Sequence, residues 1–382
     1  MSDLFGVYIH WPFCKAKCPY CDFNSHVSQA IDHERWAEAY VQEIDYIGEM
    51  IKGRKVTSIF FGGGTPSLMK PETVEKILTA IRKNWHLKND VEITLEANPT
   101  SIEAEKFESF KAAGINRVSV GVQSLRDKDL KFLGREHSAE EAIKALKIAN
   151  DVFDRVSFDL IYARPQQTIK DWEVELTEAV ALAKGHLSLY QLTIEQGTPF
   201  YAMSARGDFK IPEADQAGEF YEITQQILEA AGLPAYEVSN HAKAGQESLH
   251  NLTYWKYGDY AGIGPGAHGR LTIEGQKLAT RTHRAPEIYM NKIAEQGHAY
   301  HPFEEVNKEE NLIEMMMMGL RLREGVEFRQ IEQLTHQDWR MVLPQDKIQH
   351  LVDEGLLKIT KTHVQPTQGG LQRLNAVLSY LL

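Results

Sequence analysis

Cysteine is scarce in this 382-residue chain, with three residues in all and none beyond position 21. A disulfide framework needs an even set of thiols, so none is expected, and such usage suits a reducing compartment. Long apolar runs are missing too. No stretch approaches the ~18 residues that cross a bilayer, and MSDLFGVYIHW lacks the basic start and cleavage site of a secretory leader. The expectation is a cytoplasmic protein. Positive charge is in deficit, with 42 Lys and Arg against 53 Asp and Glu, a net charge of −11. That balance repels phosphate backbones and anionic lipid, so nucleic acid is not an expected partner and the chain itself should not bind membranes. No internal period is visible, and 43% hydrophobic with 25% charged residues describes a globular chain rather than a disordered one. The length suits two or three domains of roughly 150 residues each.

What is present is concentrated. Cys14, Cys18 and Cys21 stand in YIHWPFCKAKCPYCDF, directly after a short apolar strand at Val7–Ile9. Their C-x3-C-x2-C spacing points to metal binding. Zinc would need a fourth ligand, for which His10 and His26 are candidates. A [4Fe–4S] cluster normally takes four thiolates, so three leave one iron open to an exchangeable ligand.

Six short β-rich runs, Val7–Ile9, Thr57–Phe61, Val91–Leu95, Arg117–Gly121, Arg155–Ile161 and Leu187–Ile194, alternate with amphipathic stretches such as His33–Lys52, Pro71–Asn84 and Ala139–Asp151. Strand-then-helix repetition predicts an α/β fold with a parallel sheet, closed or partial as a barrel, whose chemistry gathers at the carboxyl ends of the strands. Gly62–Pro66 follows the second run, Glu96–Pro99 the third and Gln123-Ser124 the fourth, while Asp159 lies late in the fifth. The three glycines could let a ligand lie on bare backbone, with freed N–H and C=O groups to pair with it. No GxxxxGK[ST] is present, which removes a Walker-type nucleotide site. The expected division is 1–235 for this core, 236–300 for an irregular connecting segment, and 301–382 for a C-terminal unit. There Lys308–Arg323, Phe328–Leu334 and Pro344–Glu354 are helical and the strand-like Leu356–Thr360 and His363–Gln365 close it in a winged-helix manner. Its lack of net positive charge suggests docking rather than DNA reading.

The C-x3-C-x2-C loop resembles that of the radical S-adenosylmethionine (SAM) enzymes, in which SAM chelates the fourth iron. YIHWPFC, the cysteines, FFGGGTPS, LEANP, VGVQS, LGREH and FDLIYARP follow in order over about 160 residues and resemble the oxygen-independent coproporphyrinogen III oxidase branch of that superfamily. The resemblance implies a radical SAM partial (β/α)6 barrel of the TIM type, a [4Fe–4S] cluster on the three cysteines, and SAM as cofactor. It places Tyr8 beside cluster and SAM, the backbone around Tyr20 against adenine, and Gly63, Gly64 and Thr65 along SAM's amino-acid part. Glu96, Gln123, Arg135 and Asp159 would complete the site, with charges and an amide that suit a zwitterion carrying a sulfonium and ribose hydroxyls.

Two departures set the chain apart from the oxidase. Phe23 stands where the oxidase has a further cysteine, and only seven residues precede Tyr8. What remains resembles the HemW group of haem chaperones, marked by HNxxYW, here His250-Asn251-Leu252-Thr253-Tyr254-Trp255. That resemblance implies haem as a third bound group and haem-accepting respiratory proteins as partners, with membrane contact only through them. Coproporphyrinogen III oxidation is not expected; SAM cleavage and a homodimer are left open. An imidazole beside Tyr254 and Trp255 could offer an axial iron ligand and a flat aromatic surface, with Asn251 in the same motif and His241, His268 and His283 as competitors. The GIGPGAHG run should shape a turn against the barrel mouth, and Met315–Met318 could be a soft core helix or a porphyrin sandwich.

Overall fold

The computed structural model describes residues 4–28 and 30–382. Strands β1 (Phe5–Trp11), β2 (Lys55–Gly63), β3 (His86–Ala97), β4 (Arg117–Gln123), β5 (Arg155–Tyr162) and β6 (His186–Gln191) run parallel, each hydrogen-bonded to the next. Between them lie α1 (His33–Met50), α2 (Pro71–Asn84), α3 (Phe107–Ala113), α4 (Ala139–Val152) and α5 (Ile169–Leu182), with α6 (Ala214–Ala230) after β6. Local chemistry sets their ends. Pro71 opens α2 at its first turn, where a missing N–H costs nothing, and Ser138 with Glu141 and Thr168 with Asp171 close reciprocal capping boxes on α4 and α5.

Alternate residues of β1 face opposite sides. Trp11 packs on Trp36 and Tyr40 of α1, whereas Tyr8 turns inward to stack with Phe60. The helices therefore coat the convex face, and the concave face is free to hold polar groups.

Residues 236–300 are not the irregular connector their Gly, His and aromatic content suggested. They supply β7 (Asn240–Ala242), helix α7 (Leu249–Trp255), β8 (Asp259–Ile263), β9 (His268–Ile273), β10 (Gln276–Arg281) and helix α8 (Pro286–Gln296). β8 pairs parallel with the free side of β1, a seventh parallel strand whose partner is distant in sequence. With β11 (Glu304–Glu305) the sheet reads β11-β10-β9-β8-β1-β2-β3-β4-β5-β6-β7, a curled partial barrel whose edge strands share no ladder among the described residues. The glycines of GIGPGAHG make the turn from β8 to β9 and pack it on the cysteine loop and on α1: Asn24 Nδ2 donates to Pro265 O at 2.9 Å and Gly264 N donates to Glu43 of α1 at 2.8 Å.

The C-terminal unit has its own core. Helices α9 (Lys308–Gly319), α10 (Phe328–Thr335), α11 (Gln345–Asp353) and α12 (Leu374–Leu381) pack on a three-stranded sheet of Val326–Glu327, His363–Pro366 and Leu357–Ile359. Met315 and Met316 belong to this core while Met317 faces solvent, so the methionine run is a core helix.

Candidate functional site

The first two cysteine-loop residues of interest are placed by the sheet itself. Beyond β1 the chain continues beside β2, with Gly64 N donating to Trp11 O at 2.6 Å and Thr65 N to Phe13 O at 2.8 Å. The N–H groups of the turn are thus spent within the protein, those of Gly64 and Thr65 on the end of β1 and the start of the cysteine loop and that of Gly63 on Glu96, not left free as the sequence suggested. What the turn offers a ligand is side-chain-free backbone. A Cβ on Gly64 would lie 2.5 Å from Phe13 O, and Gly63, at φ 108°, would bring one within 2.6 Å of the His10 ring. His10 itself links strand to loop, with Nδ1 on the Tyr8 hydroxyl at 3.0 Å and Nε2 on Asn24 O at 2.9 Å.

Cys14, Cys18 and Cys21 are free thiols on this loop and line a cavity of about 1230 Å³. Burial, foremost, pushes the Cys14 and Cys21 thiols up. His10 already has both nitrogens engaged, and three thiols around one mouth suit a larger centre such as the cluster.

Tyr20, the Gly63–Thr65 turn, Glu96, Gln123, Arg135 and Asp159 line the same cavity, brought together from four successive strands and two loops. Arg135 donates to Cys18 Sγ at 3.4 Å, Asn98 Oδ1 at 2.7 Å and Gly121 O at 2.9 Å, and its Nε has no partner. Gln123 adopts φ 70° at a register break in β4, a strained conformation that re-aims its side chain. Glu96 is pushed up to about 8, first by burial and then by the charge of Asp159, against a Gly63 N–H that holds it down. Burial likewise raises Asp159 to about 6, opposed by hydrogen bonds from Ser188 and Ser119. Neither forms an ion pair among the described residues, so the pair fits a ligand that brings its own positive charge.

The HNLTYW segment lies elsewhere. It forms α7, held inside the amino end of the barrel, and its side chains are absent from the cavity lining. Glu92 of β3 accepts from Leu249 N at 3.2 Å and His250 N at 3.1 Å and is paired with Arg155 at 2.8 Å and Arg117 at 3.5 Å. His250 is 1% exposed, with Nδ1 on Ser58 Oγ at 2.9 Å and Nε2 on the Tyr254 hydroxyl at 2.7 Å. Its ring stacks on Phe60 and Tyr8, and burial pushes it down to about 3, so it is a neutral imidazole. The structure thus places the imidazole expected as an axial iron ligand in the core, with both nitrogens engaged, and not on the cavity. Asn251, Tyr254 and Trp255 are half-buried, and His241, His268 and His283 also stand off the cavity.

Residues missed by sequence reading complete the walls. Asn98, already inside LEANP, holds Arg135; Tyr190, Tyr221, Arg321 and Arg373 line the far side. No local pattern marks those four, because they reach the cavity from separate elements of two units.

A model of the radical SAM superfamily matches residues 8–178, and one of the HemN C-terminal domain matches 306–373. The chain is 36% identical to heme chaperone HemW of Escherichia coli over 99% of its own length and 98% of that protein. It is 38% identical to radical S-adenosyl methionine domain-containing protein 1, mitochondrial, of Mus musculus, over 99% and 87%. Among solved structures, the coproporphyrinogen III oxidase HemN of Escherichia coli superposes with a TM-score of 0.83 at 21% identity, covering 99% of this chain and 90% of that one, a likeness of fold. The chain belongs to the radical SAM superfamily, within the family that includes the heme chaperones HemW.

Proposed function

We propose that this protein is a haem chaperone of an internal aqueous compartment such as the cytoplasm, which carries a SAM-ligated [4Fe–4S] cluster and passes haem to respiratory haemoproteins. The observation that supports it most is the cavity of about 1230 Å³ running from the cysteine loop to the C-terminal unit, room for SAM and a macrocycle together. Cys14, Cys18 and Cys21 would hold the cluster. When bound, that group supplies an open iron for SAM and, once reduced, an electron. Glu96 and Asp159 would face the cationic parts of SAM, Arg135 its carboxylate, and the Gly63–Thr65 turn would let it approach the backbone. The backbone around Tyr20, whose ring packs on Phe200, would meet adenine.

Phe23 weighs against porphyrinogen oxidation: it is 58% exposed at the cavity mouth, where the oxidase branch has a cysteine. Haem in this cavity does not require His250, whose ligation of iron would need α7 to leave the barrel. Among the described residues no helix is long and apolar enough to cross a membrane.

Anaerobic reconstitution should give about four irons and four sulfides per chain, lost on any Cys→Ala change. The same preparation should bind haemin and leave coproporphyrinogen III unconsumed with SAM and reductant. Conversion to protoporphyrinogen IX, or failure to bind haemin, would overturn this reading.

A further inference from the structure

Glu237, which precedes β7 and is bridged to Leu322 after α9, sits beside polar atoms that lack partners. Tyr221 is more than nine-tenths buried, yet its hydroxyl has no hydrogen-bond partner, and neither has Arg321 Nε. Buried donors are seldom left unpaired without a use. Tyr221 and Arg321 both line the cavity, and Glu237 links them, raising the Tyr221 pKa by its charge after burial and lying 3.5 Å from an Arg321 Nη.

Arg321 is held from two sides. A β-bridge between Glu237 and Leu322 fixes its backbone, and its guanidinium lies 4.5 Å from the centre of the Trp255 ring, the last residue of HNLTYW. Stacking on an aromatic face keeps a guanidinium planar and aimed; one Nη of Arg321 pairs with Glu237 at 3.5 Å, while its Nε is without a partner and available to a carboxylate.

We propose that Arg321 and Tyr221 form a carboxylate-anchoring subsite for a tetrapyrrole that carries propionates, and that Trp255 is a positioning residue for Arg321. This rests on the haem-chaperone reading and names how the cargo is gripped. Arg373 adds a second cation to the same lining. Asp215, Glu219 and Glu222 of α6 also line the cavity, so a macrocycle with carboxylates along one edge is accepted with that edge toward Arg321 and disfavoured when reversed. The HNLTYW motif would thus serve cargo binding through its tryptophan, while its histidine bolts the barrel.

The test is titration of the cluster-loaded chain with haemin and with haemin dimethyl ester, which has the same iron and ring but no free carboxylates. Wild-type protein should prefer the acid at least tenfold. Arg321→Gln should bind both alike, at the ester affinity of the wild type, and Arg321→Lys should recover part of the preference. Trp255→Phe should weaken haemin binding alone, with an unchanged Soret band. Should Arg321→Gln not fold, Tyr221→Phe carries the test, with a several-fold loss for haemin and none for the ester. Acid preference intact in Arg321→Gln, or none in the wild type, overturns the subsite; a wild type that binds neither compound overturns the haem reading instead.

Discussion

With its carboxyl buried and pushed up to about 8, Glu96 is mostly protonated at neutral pH. A cation brought against it favours the ionised form, so SAM binding at pH 7 should release about one proton, and affinity should rise as pH climbs toward 8. Calorimetry in buffers of different ionisation enthalpy reads the release. Glu96→Gln should abolish it and weaken SAM roughly tenfold or more, with iron and sulfide unchanged; equal proton release in that variant would move the titrating group elsewhere. Gly64 makes a second residue-level case. Its Cβ would meet Phe13 O at 2.5 Å, and because that atom is backbone, the strand carrying Cys14 must move. Gly64→Ala should lower stability by about 1–3 kcal/mol and reduce cluster content after reconstitution, seen together in thermal melts and iron analysis.

Among the elements, α7 decides most. Its seven residues are too few to be stable alone, so contacts with the barrel must hold it. Glu92 accepts its first N–H groups and is itself neutralised by Arg155 and Arg117. Glu92→Gln strands two arginine charges and should cost about 3 kcal/mol in urea unfolding. His250→Ala removes two buried hydrogen bonds and should cost about 1–3 kcal/mol while leaving the Soret band of the haemin complex as it was. A shifted Soret band with undiminished stability would instead restore His250 as the iron ligand.

Across the whole molecule, buried ionisable groups pull stability in opposite directions with pH. Glu43, Glu96 and Asp159 are raised, to about 7, 8 and 6, chiefly by burial. Folded, they hold protons that the unfolded chain gives up, so their contribution falls as pH rises from about 4 to 8. His137, His241 and His250 are lowered by burial to about 4, 3 and 3. They are neutral in the fold and protonated in the unfolded chain below about 6.5, so their contribution falls as pH drops from there. The melting temperature should therefore peak near pH 6–7, and a monotonic rise from pH 5 to 9 would show that the carboxyls are ionised in the fold.

The alternation of strands and helices, the cysteine loop and the strand-end residues were legible in the sequence because each depends on neighbours within one βα unit: period, cap and turn are local. Pro71–Asn84 is the same helix in pattern and in structure, and six of the seven parallel strands lie where the apolar runs stand. The seventh, β8, was hidden, since its only parallel partner is β1, some 250 residues earlier, and glycine and histidine mask its alternation. HNLTYW was visible as a pattern, but whether His250 faces a ligand or the core depended on Ser58, Phe60 and Glu92, which only folding brings around it. Arg321 carried no signal at all. Its position beside Trp255 and at the cavity wall follows from docking one hydrophobic core on another, a choice made by long-range packing and not by any local run of residues.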